Sequence, residues 1–148
     1  MLTYFPETEE LLRWSDGTTL RVPFAGEVLA LAARANGQIE LAVGRCSGVW
    51  LLRVSPGSGD VESETFLPGV RPPLLLRPNG LLVFPDGSEI VVRAPDAADR
   101  RIGLPGPAER LEEFGESWVR VVVNEKWSFA LRLSNSGEAL HRLPGASR

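Results

Sequence analysis

The chain has 148 residues, 43% of them hydrophobic, which is enough apolar material for one folded domain with a real core and argues against disorder. A formal net charge of −3 is too small to indicate a nucleic-acid footprint or an acidic tail. Fifteen glycines and twelve prolines interrupt the chain too often for a helical protein, so the composition favours many short strands joined by turns.

The cysteine count and the hydropathy pattern exclude further classes of protein. Cys46 is the single cysteine, so an internal disulfide is excluded. The N-terminus is acidic and lacks the apolar segment of a secretory signal, and no run approaches the roughly 18 apolar residues of a membrane span. We therefore expect a cytoplasmic protein with neither nucleic acid nor a membrane as a partner.

A short phrase ending in glycine returns about every forty residues, which is close to the period of a four-stranded propeller blade. The phrase predicts a partial blade over residues 1–26 and blades over 27–69, 70–106 and 107–145, all within one domain. Its copies are Phe24-Ala25-Gly26, Leu67-Pro68-Gly69, Leu104-Pro105-Gly106 and Leu143-Pro144-Gly145.

The first two segments contain short apolar runs separated by turn residues. Residues 11–14 and 20–24 flank Asp16-Gly17, a pair that closes a hairpin because glycine adopts positive φ without cost. Residues 3–5 form a further candidate strand. The second segment predicts four strands with tight connections, at residues 28–33, 39–43, 49–54 and 61–67.

The last two segments repeat this plan, with one conflict. Strands are expected at residues 74–76, 81–84, 90–94 and 100–104, and then at 118–123, 127–133 and 139–143. Pro107, the glutamates that follow, and the spacing of three between Leu111 and Phe114 favour one or two helical turns over residues 108–113. A strict repeat would instead place a strand there.

The predicted fold is all-β, built from antiparallel four-stranded meanders that act as about three and a half propeller-like blades. A partial ring leaves sheet edges and faces exposed, which proteins usually cover. Closure would come from a second copy of the chain or from another protein. A ring of four blades within one chain is the alternative if residues 1–26 supply three strands, and a β-sandwich or barrel is the other.

The segment 27–69 resembles a repeat of the WD40 propeller family. The shared features are an apolar first strand, the Asn36-Gly37 turn, a second apolar strand, Gly48 before the third strand, and a polar glycine turn into the last. Arg53-Val54 stands about where the Trp-Asp pair of the family would be, and no Gly-His pair occurs. The resemblance therefore implies propeller-like blades but carries over no residue of the buried hydrogen-bond network of that family.

No catalytic, metal or cofactor site is indicated by the sequence. One histidine and one cysteine are too few for a zinc site, and Asp60, Glu62 and Glu64 fit a solvated outer strand better than a calcium site. Residues 44–48 resemble a G-x-S-x-G motif only loosely, and Cys46 is read as a turn residue because a strand follows it. The glutamates of residues 109–116 read as an exposed acidic face.

A binding face is predicted from the repeat geometry, since in propellers the loops that lead into the first and third strands of each blade share one end. The residues gathered there would be Arg45, Ser47, Arg71, Asp86, Glu125, Lys126 and Trp127.

These observations predict a non-catalytic protein–protein interaction module, a scaffold or adaptor that is not an enzyme and whose partner is another protein or a second copy. The alternative is a carbohydrate- or small-ligand-binding β-protein that uses exposed tryptophan, since aromatic rings stack on sugars. An enzyme using carboxylates such as Asp60, Glu62 or Asp86 is disfavoured, because no paired acid and base can be seen.

Overall fold

The computed structural model describes residues 2–95, 97–113, 117–124, 127–134 and 137–143, with the backbone alone described at 134 and 137–139. All regular elements in these ranges are strands, and none forms a helix that could span a membrane. The cytoplasmic location stays a prediction. The strands are β1 (Leu2–Phe5), β2 (Glu10–Arg13), β3 (Thr18–Arg21), β4 (Glu27–Ala33), β5 (Ile39–Arg45), β6 (Gly48–Val54), β7 (Val61–Leu67), β8 (Leu75–Leu76), β9 (Leu82–Asp86), β10 (Glu89–Arg93), β11 (Arg100–Gly103), β12 (Ala108–Glu113), β13 (Trp118–Val123), β14 (Trp127–Ser134) and β15 (Gly137–Arg142).

The strands form four separate antiparallel sheets, each of which follows chain order as a meander. The first sheet has the three strands β1–β3, and the others have four each: β4–β7, β8–β11 and β12–β15. Each sheet is a meander of the kind that forms a propeller blade, which confirms the all-β, blade-like prediction over the sandwich and barrel alternatives. The N-terminal segment supplies three strands, so the count of three and a half blades becomes four, with one blade a strand short.

The helix favoured over residues 108–113 is wrong, because these residues form β12. The strand pairs with β13 along its length, with Leu111 opposite Val121, and the register shifts between Ala108 and Arg110 at a β-bulge. The extra residue places the buried side chains of Ala108 and Leu111 three positions apart, a spacing that imitates one face of a helix. Phe114, the other residue of that pattern, lies outside the described ranges.

The chain divides into two compact units, residues 1–70 with 76–81, and residues 71–75 with 82–148. The core of the first unit joins its two sheets: Leu11 and Val22 pack against Leu41, Val43 and Leu52, all of them fully buried or nearly so. The core of the second unit comes from the apolar residues of its central strands, such as Val91, Val119 and Leu131. Continuous apolar central strands and more polar outer strands explain why β11 is largely exposed.

One carboxylate is buried in the first unit. The Glu40 side chain is only 3% exposed, and its two oxygens accept from the guanidinium groups of Arg34 and Arg53, at 3.3 Å and 3.2 Å. A buried charge must be paired in this way to offset its loss of hydration. Gly80 lies directly against the Arg34 guanidinium, where a side chain would collide with it. Glu40 is therefore a structural ion-pair centre at one end of β5.

Candidate functional site

A cavity of about 540 Å³ lies between β1 and β4, the first strands of the two sheets of the first unit. Both strands are at an edge of their sheet, so neither has a further strand to fill the space beside it. The volume suits a small organic molecule rather than a single ion. Its principal lining residues are Leu2, Thr3, Tyr4, Glu27, Val28 and Leu31.

The mouth of the cavity is shaped by the tight turn at Gly26. This residue has a φ of 119°, and a side chain there would overlap Val43 and come within 2.7 Å of the Gly44 carbonyl oxygen. Only glycine permits so close an approach of the chain to β5. The turn delivers Glu27, an exposed residue and the first of β4, to the rim of the cavity.

Thr3 and Tyr4, two residues of the cavity lining, have hydroxyl groups that make hydrogen bonds within the first unit. The indole Nε1 of Trp14 donates to the Thr3 hydroxyl oxygen at 2.8 Å, so the hydroxyl hydrogen of Thr3 remains able to donate elsewhere. The Tyr4 hydroxyl donates to the carbonyl oxygen of Val22 at 3.1 Å, which leaves its own oxygen able to accept. Burial, together with the Glu9 carboxylate, raises the pKa of Tyr4 above 10.0, so the phenol is neutral.

The rest of the lining is apolar. Leu2, Val28 and Leu31 contribute apolar side chains to it, and the Tyr4 ring packs against Phe24, with ring centroids 5.2 Å apart. An apolar lining with a few polar groups is the usual composition of a small-ligand site. One donor from Thr3, one acceptor on Tyr4 and the Glu27 carboxylate fit a ligand that carries several hydroxyl groups.

The structure places two residues of the predicted binding face, Arg45 and Ser47, around the indole of Trp50. The Arg45 guanidinium lies 5.6 Å from the centre of the Trp50 ring, and its Nε donates to the Ala25 carbonyl oxygen at 2.7 Å. The Ser47 hydroxyl accepts from Trp50 Nε1 at 2.9 Å. Arg45 also pairs with Glu64. Both predicted residues thus make contacts within their own unit that fix the end of β5.

The other predicted residues of this face lie in the second unit or outside the described ranges. Asp86 pairs with Arg101 at 2.9 Å, and Trp127 lies 3.8 Å below the Arg142 guanidinium. Arg71 is exposed in the turn that follows β7. Glu125 and Lys126 are not among the described residues. The binding role of the whole set stays a prediction.

The cavity residues were missed by sequence reasoning, which gave its attention to tryptophan and to loops. Thr3 and Tyr4 belong to a run that was read only as a short candidate strand. The one sequence signal near the cavity was Gly26. It indicates where β4 begins but not that β4 packs beside β1. Within the described ranges, no three His, Cys, Asp or Glu side chains are grouped so that they could hold a metal ion.

Comparison with known proteins shows a fold likeness and no family. No protein family and no curated protein matches the chain. A protein of unknown function from Bacteroides caccae matches 93% of this chain and 55% of its own, with a TM-score of 0.53 and 17% identity. A gluconolactonase from Xanthomonas campestris, described as important in glucose secondary metabolism, matches 76% of this chain and 40% of its own, with a TM-score of 0.52 and 18% identity.

The chain therefore spans about half the length of the solved structures that it resembles, and at these identities the likeness shows the fold alone. It nevertheless corrects one expectation. The prediction that this chain is not an enzyme is wrong. It rested on the absence of a visible catalytic motif, but one of the solved structures that the chain resembles is a gluconolactonase. The fold gives no ground for excluding catalysis.

Proposed function

We propose that the chain binds a small polyhydroxylated molecule of the sugar or sugar-lactone class in the cavity between β1 and β4. The observation that carries this proposal is the composition of the cavity lining, in which Thr3, Tyr4 and Glu27 supply polar groups beside the apolar side chains of Leu2, Val28 and Leu31. The gluconolactonase of X. campestris gives an additional reason to choose this ligand class.

The polar groups of the cavity define which ligand within this class should bind best. Thr3 donates to a ligand oxygen, and Tyr4 and Glu27 accept from ligand hydroxyls. The Glu27 carboxylate repels an anion, so a neutral sugar or lactone is favoured over the corresponding sugar acid. Glucono-δ-lactone should accordingly bind more tightly than gluconate at neutral pH.

Isothermal titration calorimetry with glucose, glucono-δ-lactone and gluconate tests this proposal. Replacing the Thr3 hydroxyl by a methyl group, in Thr3→Val, should weaken binding about tenfold, the cost of one lost hydrogen bond to the ligand. The matched control is Thr19→Val on β3, an exposed threonine of the same sheet that does not line the cavity. Absence of binding by all three compounds, or equal affinities for Thr3→Val and Thr19→Val, would contradict the proposal.

A second candidate function is protein binding, the role expected first from the sequence. The observation that favours it is the exposure of two large aromatic side chains, Trp14 at 57% and Phe66 at 43%. Exposed aromatic residues are enriched where proteins bind one another. Sedimentation velocity over a range of concentrations separates the partners: a reversible dimer supports a second copy, and a monomer throughout assigns the surface to a different protein.

A further inference from the structure

The first sheet has three strands where each of the other sheets has four, and its outer strand is β3. The corresponding strand in the second sheet, β6, is covered on its outer side by β7. Nothing in the described part of the chain pairs with the outer edge of β3. The position of a fourth strand is therefore open.

The register of β2 and β3 shows which backbone groups face this open position. The amide of Val22 donates to the Glu9 carbonyl oxygen at 2.7 Å, so Glu9 and Val22 form a hydrogen-bonded pair. Such pairs alternate with non-hydrogen-bonded ones along an antiparallel ladder. The pairs of Leu12 with Thr19 and of Glu10 with Arg21 are therefore of the second kind. It follows that the amide groups of Thr19 and Arg21 point away from β2.

Gly59 closes this edge at its Arg21 end. A side chain on Gly59 would overlap the carbonyl oxygen of Arg21, so the backbone of the turn before β7 lies directly against that group. The N–H and C=O groups of Thr19 remain open, as does the N–H of Arg21. Gly59 precedes β7 by two residues, so β7 begins beside the Arg21 end of the open position.

The second sheet extends beyond β3 and leaves an aromatic surface above the open position. Leu52 of β6 belongs to the same buried cluster as Leu11, and Leu20 of β3 packs against that cluster, so β7 lies one strand further out than β3. Trp50 and Phe66 are direct partners across β6 and β7 and share this face, with ring centroids 5.3 Å apart. Phe66 is 43% exposed because the first sheet has no strand beneath it.

We propose that this groove binds one extended segment of another protein, which adds antiparallel to β3 as the fourth strand of the first sheet. Main-chain hydrogen bonds to Thr19 and Arg21 would supply affinity, and the side chains facing β7 would supply specificity. This inference deepens protein binding, the second candidate function, and is independent of the cavity.

The charge and polarity of the β7 face specify the segment. Asp60, Glu62 and Glu64 stand along β7 and the turn before it, with Arg45 as the basic partner of Glu64. A strand antiparallel to β3 meets Glu64 first and Phe66 next. Side chains on one face of a strand are two residues apart. The segment should therefore carry a lysine or arginine two positions before a large apolar residue.

A second copy of the chain fits this groove less well than a lone strand. Pairing β3 of one copy with β3 of another would also bring their two β7 strands together. Both β7 strands would then occupy the same space on one face of the joined sheets. The open position is one strand wide, which suits an extended segment.

Selection of a displayed library of random peptides about twelve residues long, a length that covers strand addition, tests this inference. Peptides enriched on the full chain should share the basic–x–apolar pattern. Their synthetic forms should bind in fluorescence anisotropy and should protect the Thr19 amide from hydrogen exchange. Thr19→Pro removes the outward N–H and should weaken binding about tenfold or more, whereas Thr19→Ala keeps the N–H and should not.

Phe66→Lys is the second variant, because the Phe66 side chain is 43% exposed and lies outside the buried core. It should also weaken binding about tenfold or more, since it replaces the apolar contact and repels the basic residue of the peptide, and a thermal melt of the free variant separates this effect from any loss of packing against Trp50. Enriched peptides that bind Thr19→Pro and Phe66→Lys as tightly as the parent would overturn strand docking while leaving protein binding in place. No enrichment, or a dimer of the chain that Phe66→Lys dissociates, would also overturn the proposal.

Discussion

Glycines with positive φ occur at several turns, but their surroundings differ, and this difference can be measured. Gly17 has a φ of 70° and no atom within 4 Å of where a side chain would begin, whereas Gly59 has a φ of 78° and lies against the Arg21 carbonyl. Gly17→Ala should lower the free energy of unfolding by about 1 kcal/mol, the cost of the left-handed conformation alone.

Gly59→Ala should cost about 3 kcal/mol, because overpacking adds to the same conformational cost. Urea denaturation of the two variants measures the difference directly. Equal losses at the two sites would show that the turn before β7 does not touch β3, and would remove the closed end of the groove as well.

Asp99 makes a pH-dependent contribution to stability. Its carboxylate accepts two hydrogen bonds from the Arg93 guanidinium, both at 3.0 Å, and these bonds hold its pKa below the ordinary value of 3.8 despite partial burial. A carboxyl whose pKa is lowered by folding stabilises the protein above its unfolded pKa. This stabilisation is lost as the pH falls through the lower, folded pKa.

Asp99→Asn should therefore be less stable than the parent at neutral pH, and the gap should close as the pH is lowered below 3.8. Thermal unfolding over a pH series measures the gap. In an Arg93→Met background the same substitution should have little pH-dependent effect. A constant gap at all pH values would contradict the assignment.

At the scale of the element, β3 offers a test of which amides face outward. Leu20 lies in a hydrogen-bonded pair with Leu11, whereas Thr19 does not bond to β2 through its amide. Thr19→Pro should cost less than about 1 kcal/mol, and Leu20→Pro should cost about 3 kcal/mol more than Leu20→Ala, which removes only the packing. Circular dichroism melts of the three variants provide the comparison.

Strand positions were the most predictable feature of this chain because their turns carry strong local signals. Asn36-Gly37 and Asp16-Gly17 occur where β4 meets β5 and where β2 meets β3, and glycine takes positive φ in both turns. The helix prediction at β12 rested on Pro107, the glutamates that follow and the spacing of Leu111 and Phe114, none of which shows that the segment pairs with β13 through a β-bulge. Bulges depend on the partner strand, and the sequence of one strand does not reveal them.

At the scale of the whole molecule, the fold class was predictable and the candidate site was not. A glycine phrase that repeats with four apolar runs between its copies can be recognised in the sequence alone, and it predicted blades. The cavity instead joins Thr3 and Tyr4 to Glu27 and Leu31, which are more than twenty positions away along the chain. Its walls form only when the two sheets pack together, so no local sequence motif indicates them.

The groove beside β3 has the same origin. The sequence indicated that residues 1–26 were short of a full blade, and the expected consequence was an open structure in need of closure. The shortage is instead one strand, and it leaves the outer edge of β3 without a partner strand among the described residues and the Phe66 ring 43% exposed. The repeat count correctly indicated that the N-terminal blade is incomplete. The position of β7 shows which groups the missing strand leaves exposed.

The central claim, a small-ligand site between β1 and β4, is tested most directly by nuclear magnetic resonance. A backbone-assigned, isotope-labelled chain would be titrated with glucono-δ-lactone under conditions of slow hydrolysis. Saturable amide shifts are expected at Thr3, Tyr4, Glu27 and Val28, with reduced shifts in Thr3→Val. Shifts that avoid β1 and β4, or no saturable shifts at all, would contradict it.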